Sequence, residues 1–318
     1  MCTAITYQTR DFYFGRTLDM EYSYSEEVTV MPRAYPLTFR RRETIAEHYG
    51  MIGMAHVIRN YPLYYDAVNE KGLAMAGLNF AGNAVYGAIL PGKENITHFE
   101  LIPWILGTCA SVKEAKQRLE KTNLTDDGFC EDFPAAQLHW LLADRDQAVT
   151  LERVASGLRI YENPMGVLTN NPPFDRQLEN LRRYTHLSSR EPSGIGTVQS
   201  RGMGALGLPG DLTSSSRFVR AVFVKENAVS GFAEQESVGQ FFHILGAVEQ
   251  VKGCCRLEDG SYEKTVYTAC CNADKGIYYY TTYENRGITA VDLFRENLEG
   301  NYLKRYPLTK IQQIQYAN

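Results

Sequence analysis

The sequence predicts an α+β protein whose sheets lie buried between helical layers. Strand-like segments come in runs at the start, middle and end of the chain, with groups of helices between them. Rossmann and barrel folds instead alternate strands and helices one for one. Several strand segments are short apolar runs rather than strict alternations, the pattern of strands covered on both faces. No nucleotide loop follows a strand. Gly202-Met203-Gly204 and Gly207-Leu208-Pro209-Gly210 have neither GxGxxG spacing nor the Lys-Ser/Thr of a P-loop, and read as a connection ahead of a helix.

Taken in order, Thr3–Tyr7 and Phe12–Thr17 alternate apolar and polar around Thr9-Arg10-Asp11, which predicts a hairpin. Glu27–Met31 alternates again. Tyr49–Ile58 and Leu73–Phe80 read as buried strands, the second preceded by an Asn69-Glu70-Lys71-Gly72 turn. Phe99–Cys109 reads as an apolar helix, and Ser111-Val112-Lys113-Glu114 as a capping box opening a helix to about Lys121. Strands return at Leu138–Ala143, Ala148–Val154 and Leu158–Tyr161. Phe174–Leu187, Ser214–Val229 and Glu236–Val251 have helical spacing. Thr265–Leu293 is strand-like, with a turn expected at Glu284-Asn285-Arg286-Gly287.

Composition narrows the function. The chain has 318 residues, with 33 Lys+Arg against 37 Asp+Glu, 44% apolar and 22% charged residues, an ordinary globular balance. The length suits either two domains or one large layered domain. A net charge of −4 without a basic run argues against nucleic acid as a partner. No run approaches the ~18 apolar residues of a membrane span. Met1-Cys2-Thr3-Ala4-Ile5 lacks the basic and apolar regions of a signal peptide, so a cytoplasmic location is expected. Seven cysteines, among them the adjacent pairs Cys254-Cys255 and Cys270-Cys271, point to reduced thiols. The six histidines are scattered, with no two at ligand spacing, so neither a metal nor a cofactor is expected.

Cys2 carries the most chemical information. Removal of Met1 leaves a chain that begins with cysteine, so thiol and free α-amine sit on one residue. An α-amine has a pKa of about 7.7–8.0, low enough to accept the thiol proton near neutral pH. A small buried residue at the start of a strand is the plainer account of Cys2. Hairpin pairing brings Arg16 and Asp19 towards residue 2, either as an ordinary ion pair or as a cation for the thiolate and a carboxylate for the amine.

The ordered set of motifs resembles the choloylglycine hydrolase family of bile salt hydrolases and penicillin V acylases. Carrying it are Met1-Cys2-Thr3, Phe14-Gly15-Arg16 with Asp19, Asn69-Glu70-Lys71-Gly72 leading to Gly77-Leu78-Asn79-Phe80, and Val167-Leu168-Thr169-Asn170-Asn171-Pro172. Gly207-Leu208-Pro209-Gly210-Asp211 with Ser216-Arg217-Phe218, and Lys275-Gly276-Ile277-Tyr278-Tyr279-Tyr280, continue it to the tail, closer to the bile salt branch. The resemblance implies a single four-layer αββα domain over residues 1–318, of the N-terminal nucleophile hydrolase type, that assembles as a homotetramer. It implies Cys2 as nucleophile, supported by Arg16 and Asp19, with the Asn79 N–H and the Asn170 amide in the oxyanion hole and Arg217 as a second cation. By residue type alone, Asn170-Asn171-Pro172 also suits a plain turn.

The implied reaction is hydrolysis of glycine- or taurine-conjugated bile acids. The alternatives are an acylase acting on penicillin V or other N-acyl amines and a catalytically silent binder. A sterol needs a broad apolar pocket. Met20, Tyr24, Ile58, Phe129 and Phe133 are the wall residues expected from stretches that match the family's loops, and core packing or chance surface exposure is the competing account of each. The resemblance associates the Ser200-Arg201-Gly202 loop with preference for glycine conjugates.

Overall fold

The computed structural model describes residues 1–193 and 200–318. The strands are β1 (Cys2–Gln8), β2 (Phe12–Met20), β3 (Glu27–Met31), β4 (Met51–Ile58), β5 (Tyr61–Asn69), β6 (Ala74–Asn79), β7 (Glu94–Thr97), β8 (Thr122–Thr125), β9 (Leu138–Ala143), β10 (Ala148–Val154), β11 (Gly157–Glu162), β12 (Val167–Leu168), β13 (Lys264–Asn272), β14 (Ile277–Thr282), β15 (Asn285–Asp292) and β16 (Lys304–Pro307). The helices are α1 (Leu101–Thr108), α2 (Val112–Leu119), α3 (Phe174–Leu181), α4 (Ser214–Asn227) and α5 (Glu234–Gly246).

Two antiparallel sheets form the middle. One runs β12-β1-β2-β13-β14-β15, the other β11-β10-β9-β6-β5-β4-β3-β16, and β7 and β8 make a small parallel pair. Helices α4 and α5 cover the first sheet through β1, β12 and β13, whereas α1 covers the second through β5 and β6. This is the expected four-layer αββα sandwich. One core holds Ile5, Phe14, Val28, Leu78, Phe218 and Phe241, joining the sheets to each other and to α4 and α5. The other holds Leu101, Trp104 and Ile105 of α1 against Ala67, Met75 and Leu142. Each Val, Leu, Ile, Phe or Met among them contributes about 1.5–3 kcal/mol on leaving water.

Burial on both faces explains why the strands read as apolar runs. Eight of the nine residues of β2 are buried. Gly15 is required there, because a Cβ would lie 2.0 Å from the Ala269 carbonyl oxygen of β13. The Ser111 hydroxyl caps α2 by accepting from Glu114 N–H, but the Glu114 carboxylate accepts from Ala110 N–H, one residue before the cap, so only half the expected box forms.

Some strands are missed by the sequence reading. β5 carries Pro62, which argues against a strand, but it lies at the strand start, where a missing N–H costs little. The tail contains three strands rather than one hairpin. Its first turn is at Ala273–Gly276, with Gly276 at φ +65°, and its second is at Tyr283-Glu284, so Asn285-Arg286-Gly287 already belong to β15.

Candidate active site

The β1–β2 hairpin places the chain start in the middle of the sandwich. Its register pairs Cys2 with Leu18 and Ala4 with Arg16, so all four side chains share one face. That face meets the second sheet, because Arg16 Nη1 donates to the carbonyls of Tyr65 (3.1 Å) and Gly77 (2.5 Å). Thr3, Thr17 and Asp19 alternate onto the opposite face. There Asp19 accepts from Thr265 Oγ1 (2.7 Å) and Thr17 Oγ1 (3.2 Å), and Thr3 Oγ1 accepts from Arg217 of α4 at 2.7 Å.

The ladder extends one residue before β1. Asp19 N–H donates to Met1 O at 2.9 Å, and the Met1 amine donates to Asp19 O at 2.7 Å. In an antiparallel ladder the next pair therefore turns its backbone groups outward. Cys2 N–H donates to Asn170 Oδ1 (2.8 Å), and Cys2 O accepts from Arg217 Nη1 (2.6 Å). Arg217 Nη2 donates to the same Asn170 oxygen at 2.8 Å. Arg217 has no exposed surface, although it sits at the start of α4, where the helix dipole disfavours a cation. Its tertiary partners settle that conflict.

Charges balance across the hairpin. Burial lowers the Arg217 guanidinium, opposed by Asp19, Cys2 and Glu263. Burial likewise opposes charge on Arg16, but Cys2, Tyr267, Asp66 and Asp19 outweigh it and hold this guanidinium above its ordinary value. Asp66 accepts from Tyr267 OH (2.7 Å) and Tyr278 OH (2.5 Å). Burial pushes the Asp19 carboxyl up, against Arg217 and the N-terminal amine. One Arg16 nitrogen, Nη2, is buried without a hydrogen-bond partner among the described residues. A neighbouring thiolate would fill that deficit.

The same backbone logic sets the corner around Asn79. Phe80 N–H donates to Gln137 O at 2.8 Å, so the Asn79 N–H and carbonyl turn away from β9. On that side, pairing with β5 has already ended at Asp66 and Ala76. Asn79 O accepts from Asn170 Nδ2 (2.8 Å), leaving the Asn79 N–H and the second Asn170 amide hydrogen as neighbouring donors. Buried His139 supports this corner. It stacks on Phe80 with ring centroids 4.3 Å apart, and its Nε2 lies 2.9 Å from Thr169 O.

A thiol, buried cations and two neutral donors suit attack on an amide and stabilisation of the resulting oxyanion. A family model described as linear amide C–N hydrolases, choloylglycine hydrolase family, matches residues 2–306. The chain belongs to the choloylglycine hydrolase family. This choloylglycine hydrolase family member is 53% identical over 324 residues to a bile salt hydrolase/transferase of Lactiplantibacillus plantarum, covering 100% of both chains. It is 35% identical over 329 residues, again covering 100% of each chain, to one of Clostridium perfringens. A mutant conjugated bile acid hydrolase from Clostridium perfringens superposes over 100% of both chains with a TM-score of 0.93 at 35% identity. A penicillin V acylase from Agrobacterium tumefaciens shares the fold, with a TM-score of 0.77 at 20% identity over 96% of this chain and 90% of that one.

The expected wall residues lie in different surroundings. Tyr24, His56 and Phe133 form one aromatic group, with Tyr24 and His56 centroids 5.9 and 5.6 Å from Phe133. Phe129 belongs to a neighbouring group with Tyr61 and Phe99, under the Arg40 guanidinium. Met20 packs partly buried against the core that holds Cys2, and Ile58 is half-buried at the tip of the β4–β5 hairpin. Ser200, Arg201 and Gly202 are exposed. An open cleft of about 690 Å³ lies at the far end of β1 from Cys2, beside Gln8 and Phe232, so it is separate from this chemistry.

Glu263, Thr265 and Ser214 were missed by sequence reasoning. Ser214 Oγ accepts from Asn170 N–H at 2.8 Å. Thr265 and Glu263 reach the chain start only because β13 pairs with β2, with Thr265 opposite Asp19. No local pattern signals that pairing. Among the described residues no group of three or more His, Cys, Asp or Glu side chains is arranged to hold a metal ion.

Proposed function

We propose that this chain hydrolyses the amide bond of bile acids conjugated to glycine or taurine, releasing free bile acid and the amino acid. The observation that carries the proposal is the buried Cys2–Arg16–Asn170–Arg217 cluster, in a chain alike from end to end to proteins named as bile salt hydrolases. In this reading Met1 is removed and the Cys2 nitrogen becomes an amine. The thiol proton moves to that amine, and sulfur attacks the amide carbon. The oxyanion is met by the Asn79 N–H and the Asn170 amide, while Arg16 stabilises the thiolate. Collapse expels the amino-acid amine, which takes the proton from the Cys2 ammonium and leaves a thioester. Water, deprotonated by the same amine, then releases the bile acid and restores the thiol. An amine replacing water at that step would be acylated, which fits the word transferase in the relatives' names.

Tyr24, Phe129 and Phe133, with Met20 and Ile58, supply apolar surface suited to a sterol. The proposal extends to one domain over residues 1–318, a homotetramer, a cytoplasmic location and a preference for glycine over taurine. No helix of the described residues is long and apolar enough to cross a membrane.

The test is amino-acid release from glycocholate and taurocholate, by protein whose loss of Met1 is confirmed by mass. Cys2→Ser is expected to retain less than about a hundredth of the wild-type kcat while keeping its fold, because a hydroxyl is a far poorer nucleophile at neutral pH. Near-normal turnover by Cys2→Ser would remove Cys2 from the mechanism. Release from penicillin V but not from either bile salt would reassign the substrate.

A further inference from the structure

Glu263 is 6% exposed and lies one residue before β13. Lys264 pairs with Met20 and Thr265 with Asp19, so Glu263 sits beyond the end of β2, over the chain start. Its carboxylate forms an ion pair with the Met1 α-amine. Its other partner among the described residues is the neutral thiol of Cys255, at 3.9 Å. Burial lowers the Met1 amine, but Cys2, Asp19 and Glu263 outweigh it and raise this amine above its ordinary value.

Loss of Met1 removes the cation from this pair. A buried carboxylate left without one is strongly disfavoured. Arg217 is close enough to feel the charge, yet its nitrogens are engaged by Cys2 O, Thr3 Oγ1, Asn170 Oδ1 and Leu212 O. Arg16 faces the opposite side of the sheet, towards Tyr65 and Gly77. The next nitrogen along the chain, at most about 3.6 Å from the Met1 nitrogen, is that of Cys2. It becomes the new terminus.

We propose that Glu263 is the counter-ion of the N-terminal ammonium, first that of Met1 and, after its removal, that of Cys2. The inference deepens the proposed role of the Cys2 amine as base. Glu263 touches no substrate. It is a positioning residue that favours the ammonium formed when the amine takes the thiol proton. The groups facing that amine are then Glu263 from the segment before β13, Asp19 from β2, Arg217 from α4 and the Cys2 thiol itself, with Arg16 of β2 on the other face of the sheet.

The experiment titrates the α-amine of the mature enzyme directly, by the pH dependence of its acylation with acetic anhydride read by mass. It is run beside the pH profile of kcat/KM on glycocholate. Glu263→Gln is expected to lower the amine pKa by about one unit. The acidic limb of the profile moves down with it, and kcat falls by about 3- to 10-fold. Glu263→Asp keeps the charge but draws it back, so its amine titrates between wild type and Glu263→Gln. An amine pKa in Glu263→Gln equal to wild type overturns the proposal. If Glu263→Gln does not fold, Glu263→Asp decides in the same way. The amine titration needs no turnover, so an inactive wild-type enzyme would reject the Cys2 mechanism while leaving Glu263 to be judged on its own result.

Discussion

Replacing Asn170 with aspartate exchanges one NH2 for an oxygen and separates two roles of this side chain. Its oxygen accepts from Cys2 N–H and Arg217 Nη2, both at 2.8 Å, and its nitrogen donates to Asn79 O at 2.8 Å. Aspartate keeps both acceptor contacts and gains charge attraction to Arg217. It loses the donor and sets a carboxylate oxygen against the Asn79 carbonyl. The lost bond is worth about 1 kcal/mol, and leaving that carbonyl unpaired about 1–3 kcal/mol. The Arg217 attraction offsets part of this, so the thermal midpoint is expected to fall by only a few degrees. Catalysis is affected far more under the proposed mechanism, in which the donor meets an oxyanion that exists only along the reaction. A loss of about 10²–10³ in kcat is expected, with KM little changed. Asn170→Ala loses all three bonds and leaves Arg217 Nη2 unpaired, so it also destabilises the fold. Steady-state kinetics on glycocholate, paired with thermal unfolding, separates these effects. A kcat for Asn170→Asp within about threefold of wild type, or a loss confined to KM, would refute the oxyanion argument.

Other consequences follow from buried groups. Arg16→Met strands Asp66 and three backbone carbonyls, and is expected to cost about 3–5 kcal/mol in urea unfolding. Arg16→Lys does not restore it, because one ammonium cannot span the carbonyls of Thr17, Tyr65 and Gly77. His98 accepts from Ala136 N–H through Nε2, and burial holds its imidazole down at about 4 from an ordinary 6.5. The unfolded chain binds that proton at higher pH, so its contribution is complete above pH 6.5 and is lost as pH falls through 4, by up to about 3 kcal/mol. His98→Gln keeps an acceptor and removes that part of the slope, measured as urea midpoints at pH 7 and 5. Phe133→Ala is expected to raise KM for glycocholate severalfold with kcat nearly unchanged; an effect on kcat alone would exclude a role in sterol binding.

Much of the fold was legible locally. Glu27–Met31, Leu138–Ala143 and Ala148–Val154 coincide with observed strands, because alternation or apolar runs bounded by turns report burial directly. β5, β12 and β16 were missed for different local reasons. β5 opens with a proline-containing pair, β12 has two residues and β16 has four. The parallel β7–β8 pair was also missed, since neither strand is longer than four residues and they are joined through two helices.

The residues proposed for chemistry divide in the same way. A cysteine at position 2, followed by an Arg16–Asp19 hairpin partner, is a chemical statement that residue types and short spacing make alone. Asn170 and Arg217 were singled out by resemblance, because by residue type alone Asn170-Asn171-Pro172 is good turn chemistry. Their meeting on the Cys2 backbone required β12 to pair with β1, and α4 to pack on that edge. Glu263 carries no local signal at all. Its approach to the chain start depends on β13 aligning with β2 across more than two hundred residues of sequence. Residue type and short-range periodicity determine which groups are reactive and which segments are strands. Only packing decides which buried charges share a site, because a charge removed from water must find its partner wherever the sheets bring one.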